Sequence, residues 1–163
     1  MILAIDPGTE RSAYVVYCPE SHAVLEKDIE PNHWLYERLR YAAATSCVIE
    51  MVASYGMPVG REVFDTVAWI GRFEAACFAR EGHWPERIFR QQVKLHLCGN
   101  VRAKDSNIRQ ALIDLFPATG GGKKPQIGTK SKPGPLYGMA SDMWSALGVA
   151  ITAAAAVPSS EAR

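Results

Sequence analysis

Three carboxylates stand in this chain where a carboxylate needs a reason. Asp6 closes the apolar run ILAID and is followed at once by Pro7 and Gly8. Glu50 interrupts a second apolar run, SCVIEMV, and Asp142 opens the last one, SDMWSALGVAITAAAA. A buried charge without a partner costs several kcal/mol. Each acid has a structural reading. Asp-Pro-Gly is good turn chemistry, Glu50 has the option of pairing with an arginine, and an acid at a helix start contributes roughly 0.3–1 kcal/mol. Each also has a chemical reading. Acids at the ends of two strands and the start of a helix can converge at one sheet edge, where they repel one another unless a divalent cation neutralises them. Oxygen-only ligands select Mg²⁺ or Mn²⁺. Two such ions about 4 Å apart are an apparatus for hydrolysing a phosphodiester.

The elements that must position these acids follow from periodicity and turn residues. MILAID, RSAYVVY and HAVLEKDI read as strands bounded by turn residues. Connections too short for helical crossovers make them an antiparallel meander. NHWLYERLRYAAA has Trp34, Leu35, Leu39 and Ala42 at helical spacing. SCVIEMV is a buried strand. EVFDTVAWIGRFEAACFARE is a long helix with Val63, Val67, Ile70, Phe73, Ala76 and Cys77 on one stripe. PERIFR is a short strand, QQVKLHLC a short helix stopped by Gly99, and Lys104 to Phe116 a helix that Pro117 ends. TGGGKKPQIGTKSKPGPLYG reads as loop, and SDMWSALGVAITAAAA as a final apolar helix. The order predicts a mixed α/β sheet flanked by helices, in one domain over residues 1–157 with a flexible tail over 158–163.

The 163 residues suffice for one domain with a real core. Hydrophobic content of 48% and charged content of 21% are those of an ordinary globular protein. No apolar run approaches the roughly 18 residues that span a bilayer, and the opening lacks the basic region of a secretory signal. Cys18, Cys47, Cys77 and Cys98 form no CxxC pair, so reduced thiols of a cytoplasmic protein are expected rather than a zinc site or a disulfide framework. His22, His33, His83 and His96 show no ligand spacing. The net charge of +1 conceals a segregation: residues 1–89 carry 8 basic and 13 acidic side chains, residues 90–137 carry 9 and 2. That asymmetry suits a face that meets a polyanion. Lys123, Lys124, Lys130 and Lys132 are expected to act as a mobile basic arm contacting phosphates.

IDPGT before an antiparallel strand, VIEM some forty residues later, QQVKLHLCGNVRAKDSNIRQAL and SDMWSALGVAI come in that order. This ordered set resembles the RuvC-type Holliday junction resolvases over residues 2 to about 152. IDPG alone is weak, since it also opens sugar kinases and actin-like ATPases. The resemblance implies a ribonuclease H-like fold, a homodimer acting in the cytoplasm of a bacterium or phage-infected host, and Mg²⁺-dependent cleavage of four-way DNA junctions. Two ions per active site are implied, with Mn²⁺ able to substitute. Asp6, Glu50 and Asp142 match the family's acids, and Lys94 and Lys104 its two DNA-facing lysines. Arg102 lies between those lysines on the same implied surface. Tyr55, with Met57, falls where the family places a loop near the junction centre, so an exposed side chain there can wedge between bases. The small size and the Gly/Lys/Pro loop resemble the phage and prophage branch. One departure stands out. The family's second acid, three residues after the first on the final helix, is Ser145 here; a hydroxyl is a poor metal ligand but can bond a metal-bound water.

Rival readings are an actin-like ATPase or kinase, a non-cleaving junction-binding module, and a nuclease of other branched DNA or of hybrids. The first needs a second domain and a second phosphate loop, for which 163 residues leave no room. Asp65 is a candidate substitute acid, expected on a solvated helix face.

Overall fold

The computed structural model describes residues 1–43 and 46–156; the tail expected over 158–163 lies outside them. Five strands form one sheet in the order β3-β2-β1-β4-β5. They are β1 (Ile2–Asp6), β2 (Arg11–Cys18), β3 (Ala23–Pro31), β4 (Ser46–Met51) and β5 (Glu86–Phe89). β1, β2 and β3 pair antiparallel as the expected meander, while β4 runs parallel to both β1 and β5. The helices are α1 (Asn32–Tyr41), α2 (Arg61–Glu81), α3 (Arg90–Cys98), α4 (Asp105–Asp114) and α5 (Met143–Ala156).

Successive side chains of a strand point to opposite faces, and β1 builds two cores in this way. Leu3 and Ile5 pack with Leu35 and Leu39 of α1 and with Ile70, Phe73 and Cys77 of α2. Ile2 and Ala4 face the other way, into Val93 of α3, Ile108 and Leu112 of α4, and Leu147 and Ala150 of α5. The strand read as buried on both faces is therefore the middle of a three-layer sandwich. Helix α5 comes close to α3 at Gly148, where an added Cβ would stand 3.0 Å from Val93 Cγ1.

Some expectations about faces and boundaries change. Trp34 is exposed, and α1 docks through Leu35 and Leu39, with Tyr36 half-buried beside them. Val67 and Phe64 are also exposed, because the first turns of α2 run past the edge of the core; its buried stripe begins at Thr66 and Ile70. Arg90 belongs to α3 rather than to β5, since the strand passes into the helix without a loop.

The largest correction concerns the Gly/Pro/Lys segment after α4, expected as a mobile arm. It is a compact loop pinned by backbone hydrogen bonds, among them Gly120 N to Pro125 O at 2.8 Å, Gly134 N to Ile127 O at 2.9 Å and Leu136 N to Gln126 O at 2.8 Å. Leu136 is fully buried in the core. A Cβ at Gly128 would meet Gly134 N at 2.2 Å, and one at Gly134 would meet Pro125 O at 2.2 Å. The glycines are there because backbone packs on backbone, and Gly128 also needs its φ of +79°.

Candidate functional site

The last register pair of β1 and β4 is Ile5 with Ile49, so Asp6 and Glu50 are the next residues on adjacent parallel strands. Alternation turns both away from the α1–α2 core and toward α3 and α5. The β4–β5 ladder pairs Glu50 with Ile88 and Met51 with Phe89, and Arg90 follows directly as the first residue of α3. Three parallel strand ends thus present Asp6, Glu50 and Arg90 along one edge of the sheet. Helix α5 starts at the same edge, with Asp142 just before it and Ser145 in its first turn. The Asp142 carbonyl accepts the first helical hydrogen bond, from Ala146 N at 3.0 Å, and the preceding Ser141 is held at a φ of +41°. A non-glycine residue in that region is strained, and such strain gathers at functional sites.

The turn behind Asp6 is held by a polar network absent from the sequence reading. Gly8 N donates to Ser12 Oγ at 3.0 Å, Ser12 Oγ donates to Asn32 Oδ1 at 2.7 Å, and Asn32 Nδ2 returns to Gly8 O at 2.9 Å. Ser12 and Asn32 are each 1% exposed. A Cβ on Gly8 would stand 2.3 Å from Arg11 O. Only glycine fits there, so the chain leaves the strand tightly and Asp6 is fixed on rigid backbone.

The electrostatics of the cluster are those of buried, mutually repelling acids that Arg90 offsets only in part. Burial, then the charge of Glu50, then that of Asp142, pushes the Asp6 carboxyl up to about 8; a hydrogen bond from Ser145 and the Arg90 charge pull weakly the other way. Glu50 is also raised, first by burial, with Arg90 opposing. Its Oε2 is buried without a hydrogen-bond partner. Its Oε1 lies 3.8 Å from Arg90 Nη1. Arg90 Nη1 donates to Ser145 Oγ at 3.2 Å, and Nη2 to Asp105 Oδ1 at 2.7 Å. Burial lowers the arginine's proton affinity, but the bond to Asp105 and the charges of Glu50, Asp105 and Asp6 outweigh it.

These residues fit a divalent cation. The donors are oxygens, one buried oxygen is orphaned, and two neighbouring acids are held above their ordinary range by burial and mutual repulsion, both of which a cation would relieve. The fit is that of an open site. Asp142 is exposed, and among the described residues no three His, Cys, Asp or Glu side chains converge on one point.

Asp6, Glu50, Val63, Arg90 and Tyr55 line a cleft of about 290 Å³ beside the acids. Tyr55 is half exposed, with a φ of +47°, and Met57 is exposed. A larger groove of about 930 Å³ lies between α1 and the opposite face of the sheet, away from the acid cluster. Lys94 is one turn along α3 from Arg90, Lys104 immediately precedes Asp105, and Arg102 is exposed in the turn between α3 and α4. The two lysines and Arg102 therefore lie on the segment that carries Arg90 and Asp105. Lys123, Lys124, Lys130 and Lys132 are exposed on the compact loop, and none enters an ion pair among the described residues. Asp65 is solvated, as expected, and pairs with Arg61 at 3.5 Å. Arg90 is the functional candidate that sequence reading missed. Its signal was the Glu50–arginine alternative, with Arg90 standing first in the basic segment.

A mixed sheet of this order, with a meander followed by parallel strands and helices on both faces, is the ribonuclease H-like fold. Two solved structures share it. A Thermus thermophilus RuvC structure is 16% identical, covering 93% of this chain and 91% of that chain, with a TM-score of 0.59. T. thermophilus RuvC in complex with Holliday junction substrate is 18% identical, covering 93% and 90%, with a TM-score of 0.64. Neither bears on a phage or prophage branch. No family model matches the sequence, and no curated protein does.

Proposed function

We propose that the protein is a structure-selective endonuclease that resolves four-way DNA junctions by metal-dependent phosphodiester hydrolysis. The observation that carries this reading is the placement of Asp6 and Glu50 at adjacent parallel strand ends, with the charge of Asp142 felt by both and Glu50 Oε2 orphaned. The fold is shared with a RuvC whose structure contains Holliday junction substrate, which supports branched DNA as the partner.

Asp6, Glu50 and Asp142 would hold the divalent ion, Mg²⁺ or Mn²⁺, which when bound supplies Lewis acidity and a readily deprotonated water. The chain's own part begins with Asp6, whose carboxyl must give up its proton for a cation to bind, so uptake of metal releases protons. Ser145 would hydrogen-bond Asp6 and favour its ionised form. Lys94, Lys104, Arg102 and the loop lysines Lys123, Lys124, Lys130 and Lys132 would engage backbone phosphates and carry no sequence information. Tyr55 and Met57 would meet unstacked bases beside the cleft. In hydrolysis the water oxygen bonds to phosphorus, the bond to the leaving oxygen breaks, and that oxygen takes a proton. Two symmetric nicks need two active sites at fixed separation, which a twofold homodimer supplies.

The test is replacement of each acid by its amide or neutral counterpart. Asp6→Asn, Glu50→Gln and Asp142→Asn should each abolish cleavage while junction binding by gel shift stays within about threefold of wild type, since the acids hold metal rather than DNA. Cleavage at a near wild-type rate in any one would remove that residue from the site.

A further inference from the structure

The two-ion expectation counts only acids. The site also contains a fixed cation. Arg90 enters the cluster from the strand–helix junction, and both terminal nitrogens of its guanidinium are engaged. Nη2 is held at 2.7 Å by Asp105, whose side chain is 80% exposed. Nη1 turns inward to Ser145 Oγ at 3.2 Å and Glu50 Oε1 at 3.8 Å. Asp105 therefore works from the solvent side as the brace that aims Arg90 into the site.

Counting charge makes the consequence concrete. Asp6, Glu50 and Asp142, when ionised, bring three negative charges, and Arg90 brings one positive charge that is never lost at ordinary pH. One divalent ion together with Arg90 balances the three acids. Two divalent ions with Arg90 would leave the cluster two charges positive before any phosphate arrived. Asp105 offsets little of this, because an exposed carboxylate is screened by water. The donor atoms argue the same way. On the α3 side the Ser145 hydroxyl accepts from Arg90 and Glu50 Oε1 faces the guanidinium, so both oxygens are already turned to a cation there. Glu50 Oε2, buried without a hydrogen-bond partner, is left for a metal together with the carboxylates of Asp6 and Asp142.

We propose that Arg90 is a resident cation of the acid cluster, standing where a second divalent ion would be needed, so that each chain takes one ion rather than two. Ser145 belongs to the same arrangement: a carboxylate at that position would bond Arg90, whereas the hydroxyl accepts from Arg90 and donates to Asp6 without adding charge. The inference rests on the metal-dependent nuclease reading.

The test counts ions directly. Mn²⁺ bound to the DNA-free protein is measured from the paramagnetic resonance of the free ion, for wild type, Arg90→Lys, and the double variant Arg90→Met with Ser145→Asp. Folding is checked by circular dichroism. One ion is expected for wild type and Arg90→Lys, and two for the double variant, which removes the fixed cation and adds an oxygen ligand. The Mg²⁺ dependence of junction cleavage should have a Hill slope near one in wild type. Two ions in wild type would overturn the proposal, and so would a folded double variant that still binds one. If the double variant does not fold, the wild-type and Arg90→Lys counts decide by themselves. No bound ion in wild type, with no cleavage in Mg²⁺ or Mn²⁺, would remove the nuclease reading itself.

Discussion

Among the clustered acids, Asp6 is the one whose protonation the fold shifts furthest. Its ordinary value of 3.8 rises to about 8, through burial first and then Glu50 and Asp142. The sign of the stability effect follows. Above about pH 4 an unfolded chain has this carboxyl ionised, while the metal-free folded chain keeps the proton until about 8. The native state binds more protons across that window, so stability falls as pH rises through it. The melting temperature of metal-free protein is therefore expected to decline from about pH 5 to about pH 8, and the decline should shrink in Asp6→Asn and in saturating Mg²⁺. A flat wild-type profile in chelator would contradict the placement of Asp6 in a buried acid cluster. Ser145 contributes a bond rather than a charge, so Ser145→Ala should slow cleavage about tenfold, equivalent to roughly 1.4 kcal/mol of transition-state stabilisation. A loss as complete as that of Asp142→Asn would mean the serine does other chemistry. That Asp6, Glu50 and Asp142 stand near one another was legible in the sequence, because a lone charge in an apolar run is conspicuous, and Ser145 came from the family resemblance. Arg90 was not, because an arginine at a strand–helix boundary looks the same whether it faces water or turns inward.

At the scale of elements, strands and helices were read in their right order because alternation, helical spacing and Gly or Pro stops each left a local trace. Faces were harder. Trp34 and Val67 fit helical stripes yet stand exposed, since a stripe says which residues share a face and not how far the neighbouring core extends. The loop after α4 is packed rather than mobile for a related reason. Glycine permits both disorder and the close approach of two backbones, and only the fold distinguishes them. That difference is measurable. Gly128→Ala must place a methyl group 2.2 Å from Gly134 N at a φ of +79°, so a cost of at least about 2 kcal/mol is expected from strain and displaced backbone. Chemical denaturation should register it, with faster amide exchange around Gly134 and Leu136. An unchanged midpoint would mean the loop is not the packed unit described here.

For the whole molecule, charge and fold divide the labour. The acidic half of the chain builds the meander, α1 and α2, and the basic segment supplies α3, α4 and the compact loop. If Lys94 and Lys104 meet phosphates, neutralising either should weaken junction binding and reduce the slope of log affinity against log salt by about one. An unchanged slope would take that lysine off the DNA surface. Sedimentation of the protein with junction DNA should give a dimer, and monomer alone would leave a simple nicking enzyme. The central claim is that the acid cluster on this fold cuts branched DNA, and one measurement meets it most directly. A four-way junction labelled on opposing strands is incubated with purified protein, with Mg²⁺ or with chelator. The account predicts paired nicks that convert the junction to linear duplexes in Mg²⁺, none in chelator, and none with linear duplex as substrate. Junction bound tightly but left whole in both Mg²⁺ and Mn²⁺ would contradict it.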